Sequence, residues 1–244
     1  MSDCDDCDKF VMIVKSDDSD KTTTRTADES DDLCLDWSGQ NLSAEDVERR
    51  FWGYGQSLLR VRELDLHANR LTALPSTVLS LRRLQRLYLD HNTLSALPES
   101  FGNDVSVLTD LALHENQLTD LPPSIGRLRK LETLRLDRNR LTSIPTELCD
   151  CCALRTLHID GNDVRSLPQS IGRLRHLADF GIGSNPHLRR IPPSLADAEE
   201  LMVVWFDDAT MSAIENVPQT VLRSGDADVL RRFLCSSASS DPAS

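Results

Sequence analysis

Apolar residues along this chain follow two alternating spacings. Six segments share the frame Leu-x-Leu-x-x-Asn-x-Leu or a close variant of it: LDLHANRL, LYLDHNTL, LALHENQL, LRLDRNRL, LHIDGNDV and FGIGSNPHL. The Leu-x-Leu part alternates apolar and polar positions, which predicts a short strand with one buried face. Each segment is followed by Leu-Pro or Ile-Pro and then by apolar residues at every third position, as in Ile125-Leu128-Leu131. That spacing favours a helical or 3₁₀ turn with an inward apolar stripe.

An asparagine marks the same place in every segment. Successive asparagines are separated by 23, 24, 23, 23 and 23 residues, and they are Asn69, Asn92, Asn116, Asn139, Asn162 and Asn185. A repeat of about 20–29 residues with this pattern is the signature of a leucine-rich-repeat solenoid. The Asn side chain offers a donor and an acceptor on a short stem, so six stacked copies are predicted to form a hydrogen-bonded ladder at the turns.

The repeat therefore predicts an α/β fold. We expect a leucine-rich-repeat solenoid, a curved horseshoe with a parallel sheet on the concave face and short helices or 3₁₀ turns on the convex face. It should contain about eight coils including the caps. Six repeats occupy residues 61–200. Two coils carry one extra residue, around Asn103 and before Pro192, and we expect surface loops to absorb both.

A solenoid exposes an apolar cross-section at each end, so capping units are required. Residues 33–60 are predicted to form an N-terminal capping coil, in which Ser43 and Asp46 have the spacing of a capping box. Residues 201–235 are predicted to form a C-terminal capping coil and helix. The acidic leader, residues 1–32, and the small polar tail, residues 236–244, are predicted to be disordered.

Charge is distributed unevenly along the chain. The formal net charge is −12, and residues 1–32 contribute −7 of it. We expect no nucleic-acid partner, because nucleic acids require clustered lysine and arginine. We also expect no direct membrane insertion, because no run of 18 apolar residues occurs.

Seven cysteines, an odd number, show no disulfide framework. The N-terminus MSDCDDCDKF lacks the basic-then-apolar order of a signal peptide. Both features favour a cytoplasmic protein with reduced thiols. Cys151 occupies a convex slot that leucine fills in other coils, so we expect it to pack in the core. We expect a monomer without a cofactor.

The pattern LxxLxLxxNxLxxLPxxIGxLxxL, with LPPSIGRLRKLETLRLDRNRLTSIP at residues 121–145, resembles the intracellular Ras-group leucine-rich repeats. These occur in Scribble-type scaffolds, the Ras suppressor protein and yeast adenylyl cyclase. The segment from Val217-Pro218 through Gly225 to Phe233-Leu234 also looks like the terminal coil of that group. The resemblance covers residues 33–234. It implies a noncatalytic role in protein–protein interaction within signal transduction, with a small GTPase or phosphatase complex as the partner.

Polar strand positions identify the candidate binding residues. Adjacent strands bring equivalent positions to about 5 Å, so these side chains form columns on the concave face. Tyrosine, tryptophan and arginine are enriched among binding hot spots. The fold does not require them here, because the same slot holds Ala112 and Gly181 in other coils. We predict that a partner protein contacts Tyr88, Arg135, Arg138, His158, Trp205, His67, Asp90, His114 and Asp137.

Three functional interpretations remain open. A scaffold or adaptor is favoured over an enzyme, because no nucleophile elbow, P-loop or dinucleotide fingerprint occurs. A regulatory or substrate-recognition subunit of an enzyme complex is the alternative. A metal- or redox-responsive sensor would use the concave histidines or the Cys149–Cys152 cluster. We assign no metal, because strand spacing alone makes any polar column look like a cluster. The columns can also be ordinary solvated residues, and Trp205 can pack against the C-terminal cap.

Overall fold

The computed structural model describes residues 32–224 and 226–238 of the chain. Eight parallel strands form one sheet in strict chain order. The equivalent strand leucines pair directly, as Leu64 with Leu87 and Leu134 with Leu157. The predicted solenoid with a parallel sheet is confirmed. The strands are β1 (Leu33–Asp36), β2 (Val61–Asp65), β3 (Arg86–Tyr88), β4 (Asp110–Ala112), β5 (Thr133–Arg135), β6 (Thr156–His158), β7 (Asp179–Gly181) and β8 (Val203–Trp205).

Short 3₁₀ segments form most of the convex side. The predicted stripe of every-third apolar residues lies inside, where Ile125, Leu128 and Leu131 are fully buried. A proline directly precedes several of these segments and fixes φ where the turn begins, as Pro122 and Pro145 do. The 3₁₀ segments are Gly55–Arg60, Ser76–Ser80, Pro123–Arg127, Thr146–Asp150, Ile171–Arg173 and Pro193–Asp197.

One coil departs from this plan. The extra residue near Asn103 does not form a surface loop as predicted; the coil contains a one-turn helix, α2 (Phe101–Asp104). The helical turn buries Phe101 completely. As at Gly126 and Gly172 of the regular coils, a Cβ on Gly102 would clash with a carbonyl oxygen of the next coil, here that of Ser124. The prediction was wrong because the inserted residue widens the turn from 3₁₀ to α: Val105 N donates to Phe101 O, whereas in a regular coil Leu128 N donates to Ile125 O.

The six repeat asparagines lie buried where the chain leaves the sheet. Asn92 illustrates the bonding: its Nδ2 donates to Leu66 O of the preceding coil at 2.9 Å and to Leu89 O of its own coil at 3.0 Å. Its Oδ1 accepts the backbone N–H of Leu71, again from the preceding coil, at 2.9 Å. Each rung of the ladder therefore joins an asparagine side chain to neighbouring backbone rather than to another asparagine.

The N-terminal cap covers the first coil with an aromatic cluster. Helix α1 (Ala44–Trp52) begins after Ser43, and the predicted capping box is present, with Asp46 as its second member. Trp37 is buried against Phe51, with ring centroids 4.9 Å apart.

The C-terminal cap consists of α3 (Asp208–Ala213), α4 (Gln219–Leu222) and α5 (Ala227–Ala238). Leu230 and Leu234 of α5 close the core. Because α5 continues to Ala238, the first three residues of the tail 236–244 are helical, contrary to the prediction. The rest of that tail, and residues 1–31 of the leader, lie outside the described residues. Among the described helices, none has the length and apolarity that crossing a membrane requires.

Candidate functional site

Four columns of side chains line the concave face: the residue before the first strand leucine, the residue between the two strand leucines, and the two residues that follow the second leucine. The residues predicted from the sequence all lie in the last three columns. Side chains two positions apart on a strand share a face, so the residue before the first strand leucine belongs there too. Two contacts show that these residues lie on the concave face: Arg86 Nη2 lies 2.6 Å from Glu63 Oε2, and Trp205 Nε1 donates to Asp179 Oδ1 at 2.8 Å. The alternation of strand residues is enough to predict this column from the sequence. Its members are Cys34, Glu63, Arg86, Asp110, Thr133, Thr156, Asp179 and Val203.

The column that contains Arg138 sits on a strained turn. Arg138 has φ of 52° and His91 has φ of 53°, in the left-handed region that side chains other than glycine rarely adopt. The equivalent residue of another coil is Gly161, with φ of 66°. Each of these residues directly precedes a ladder asparagine, whose hydrogen bonds hold the turn in place.

Side chains just after β3 and β4 form a histidine–carboxylate group on the concave face. His91 Nδ1 lies 3.0 Å from Asp90 Oδ2, and His91 Nε2 lies 3.1 Å from Glu115 Oε2. His114 Nε2 lies 3.4 Å from Asp90 Oδ2, and burial lowers the pKa of His114. The sequence-predicted Asp90 and His114 are thus in contact, whereas His67 contacts Asp65 at 2.9 Å.

A second group spans β5 to β7. Arg135 Nε lies 3.4 Å from Asp137 Oδ2, and His158 approaches Asp137 at 3.8 Å and Asp179 at 3.1 Å. Asp160 accepts a hydrogen bond from Gly183 N at 2.7 Å. Burial, followed by the hydrogen bond and negative charge of Asp137, raises the pKa of Asp160 to about 6. Asp160 was not among the residues predicted from the sequence.

The remaining predicted residues are Tyr88 on β3, Arg138 just after β5 and Trp205 on β8. Tyr88 is half-buried on β3, and burial raises the pKa of its hydroxyl to about 12. Trp205 on β8 is 56% exposed, so it does not pack away against the C-terminal cap. Arg138 is exposed and pairs with Glu115 at 2.8 Å.

Glycines shape the floor beside Trp205. A Cβ on Gly181 would overlap Asp160 Oδ2, and a Cβ on Gly183 would come within 3.0 Å of Asp160 Oδ1. The absence of side chains at these two positions lets the Asp160 carboxylate lie over β7.

Two sets of side chains have spacings that could hold a cation. In each set the possible ligand atoms lie within 4.8 Å of one another, and the sets are Asp90, His91 and His114, and Asp137, His158 and Asp160. Each set mixes imidazole and carboxylate, a combination that suits zinc. These same groups also bond to one another and to neighbouring protein groups, as described above.

The concave face is strongly acidic. Its four columns hold three arginines and eleven carboxylates, a net charge of −8 with the histidines neutral. Residues 33–244 together carry only −5, so the rest of that part of the chain carries +3. The acidity that the sequence analysis placed mainly in the leader is therefore matched on this face. The carboxylates belong to Asp36, Glu63, Asp65, Asp90, Asp110, Glu115, Asp137, Asp160, Asp179, Asp207 and Asp208.

Residues 60–107 and 106–164 each match the family model described as leucine rich repeat. Together with the parallel sheet and the asparagine ladder, these matches support a leucine-rich-repeat solenoid fold. No curated protein gives a significant match.

Two solved structures share the fold. One is the plant peptide hormone receptor RGFR1 in complex with RGF2, with 30% identity and a TM-score of 0.54 over 62% of this chain. The other is the functional domain of InlJ from Listeria monocytogenes, with 20% identity and a TM-score of 0.52, also over 62% of this chain; it shows the fold alone. The chain spans 25% and 31% of the length of those two chains.

Proposed function

We propose that this protein is a noncatalytic scaffold or adaptor that binds a partner protein through its concave face. The exposure of Trp205 carries the proposal. Its indole is 56% exposed, and a hydrogen bond from Nε1 to Asp179 fixes its orientation. A large aromatic side chain held in one orientation on a rigid surface loses little entropy when a partner covers it, and such residues dominate binding energies.

The dimensions of the face suit a protein partner. Tyr88 on β3 and Trp205 on β8 are five strand spacings apart, which is about 24 Å at the usual spacing of parallel strands. Standard interfaces bury about 800 Å² on each partner, a patch of similar width. The plant receptor to which the chain is similar is in complex with RGF2, which supports a binding role for this fold.

We further propose that the partner belongs to a signalling assembly containing a small GTPase or phosphatase, as the resemblance to Ras-group repeats implies. A cytoplasmic location is part of this proposal. It is supported by four described cysteines that are free thiols: Cys34, Cys149, Cys151 and Cys152.

Affinity purification from native cytosol tests the concave-face proposal. The bait variant replaces Tyr88, Arg135, Arg138 and Trp205 by alanine, and circular dichroism checks that it remains folded. We expect the wild-type protein to retain a partner that this variant loses. Recombinant partner should then bind the wild-type protein directly.

A matched control changes exposed residues away from the concave face. Trp52 is 78% exposed on the N-terminal cap, and Arg129 and Arg175 are exposed on the convex side. The triple alanine variant of these residues should keep the partner. Identical partner lists for the wild-type protein and the concave variant would refute the proposal. A stoichiometric enzyme among the lost partners would favour the regulatory-subunit alternative.

A further inference from the structure

We infer that the occupant of the concave face is an extended basic segment of a partner protein, and that its lysine or arginine side chains dock between Asp160, Asp179 and Trp205. This inference rests on the proposed function and names the chemistry of the partner.

The charge distribution selects a cationic partner. The face carries −8, whereas the rest of residues 33–244 carries +3, so the negative potential is concentrated on one side. The arginines of the face are already used within it: Arg86 pairs with Glu63, Arg135 contacts Asp137 at 3.4 Å, and Arg138 pairs with Glu115. Additional positive charge must therefore come from a partner, and complementary charge speeds association and excludes acidic competitors.

The carboxylates near β7 are arranged to receive such a charge. Asp137 and Asp160 lie close enough to interact, so an incoming cation would relieve their mutual repulsion. Asp160 is held by the backbone amide of Gly183, and Asp179 is 40% exposed. A larger residue in place of Gly181 or Gly183 would collide with or crowd Asp160, so the two glycines keep this carboxylate where a partner can approach it.

Trp205 supplies one wall of this position. Its hydrogen bond to Asp179 places an indole directly beside an acceptor for a cation. Asp179 lies at the edge of the indole, so a side chain whose ammonium or guanidinium group bonds to Asp179 can lay its aliphatic stem against the exposed indole. Tryptophan, carboxylate and glycine in adjacent coils thus fit a long basic side chain better than an acidic or small one.

The surface length indicates an extended segment. Eight residues in extended conformation span about 27 Å, close to the width of about 24 Å from β3 to β8. We therefore choose the eight-residue probe Ac-RSRSRSRS, labelled with fluorescein, and the acidic peptide Ac-ESESESES as its counterpart. Fluorescence anisotropy with the full-length protein measures binding at low and at physiological salt.

The test variant is Asp160→Asn with Asp179→Asn, which keeps the shape of both side chains. The control, Asp163→Asn with Glu147→Gln, removes the same charge from exposed positions outside the four columns. The acidic leader is present in every protein, so it cannot explain a difference between them. We expect the test variant to bind the basic peptide at least about ten-fold more weakly, and the control less than about two-fold more weakly.

Tryptophan fluorescence locates the bound peptide. The chain has three tryptophans; Trp37 is 1% exposed, Trp52 is 78% exposed and Trp205 is 56% exposed. In a Trp52→Phe background, acrylamide quenching therefore reports mainly on Trp205. We expect the basic peptide to protect this fluorescence and the acidic peptide to leave it unchanged.

Two results would overturn the inference: equal weakening in test and control variants, or basic-peptide binding without protection of Trp205. Either result would mean that binding of the basic peptide depends on net charge or on the leader, and not on Asp160, Asp179 and Trp205. If the purification experiment still showed a partner lost by the concave variant, the proposed function would stand and only the basic partner would be rejected. Identical partner lists there would refute the proposed function itself.

Discussion

Replacing Asp160 by asparagine should stabilise the folded protein at neutral pH. The pKa of Asp160 is raised from 3.8 to about 6, first by burial and then by Asp137. A raised carboxyl pKa means that its contribution to stability is complete below 3.8 and is lost as the pH rises through about 6. Asparagine imitates the protonated form at every pH, and its carbonyl can still accept the bond from Gly183 N.

The size of the effect follows from the shift. Two pKa units correspond to about 3 kcal/mol in the free energy of unfolding. Asp160 is only partly buried, so solvent screening reduces the expected gain to about 1–2 kcal/mol at pH 7.5. The gain should be much smaller at pH 4, where the folded carboxyl holds its proton and about 40% of the unfolded carboxyls do as well.

Urea denaturation followed by circular dichroism at pH 7.5 and pH 4 measures this difference. The exposed Asp163→Asn serves as the control and should change the free energy of unfolding by less than about 0.5 kcal/mol at either pH. Two results would refute the reasoning: an Asp160→Asn protein less stable than wild type at pH 7.5, or a gain that does not depend on pH.

Three further changes test other parts of the structure. Asn139→Ala removes one ladder rung and leaves buried backbone groups unpaired, so thermal or urea denaturation should show a loss of about 2–4 kcal/mol; a loss below about 1 kcal/mol would contradict this role. Gly102→Ala forces a clash with the next coil and should cost about 1–3 kcal/mol in the same assay. Gly53→Ala, whose Cβ would meet nothing closer than 3.6 Å, should cost less than about 1 kcal/mol. Iodoacetamide at pH 8 should modify the exposed Cys152 but not Cys151, because Cys151 is buried and burial raises its pKa to about 12. Peptide mass spectrometry measures the labelling of both cysteines, and rapid labelling of Cys151 would contradict its packing in the core.

Most of the fold could be predicted because each element depends on a local pattern. The strand at Thr133–Arg135 and the buried Asn139 follow from one 23-residue period, and Ser43 with Asp46 forms a capping box within four residues. The α2 turn could not be predicted in the same way. An inserted residue can bulge outward as a loop or widen a 3₁₀ turn into an α-helical one. Packing against the neighbouring coils, which buries both Phe101 and Val105, decides between these outcomes.

The candidate site was predictable in outline but not in detail. The alternation of strand residues places Arg135, His158 and Trp205 on one face. Which side chains touch depends on rotamers and on the open space that neighbours leave. The bond from Trp205 to Asp179 and the position of Asp160 over Gly181 belong to this second kind of information.

The sign of a stability change can separate structural from functional residues on this surface. The core of the solenoid is supplied by its leucines and by buried asparagines such as Asn139, so substitution of those residues must destabilise the fold. A concave side chain that only faces solvent should give a change near zero. Asp160 falls in neither class, because its carboxylate is partly buried and lies beside Asp137, at a cost that asparagine would remove. A residue that destabilises the protein in which it occurs, within reach of an exposed and oriented Trp205, has the property expected of a binding group. An increase in stability together with weaker binding of the basic peptide in Asp160→Asn would place Asp160 in the binding surface. An increase in stability with unchanged binding would identify local strain and no more.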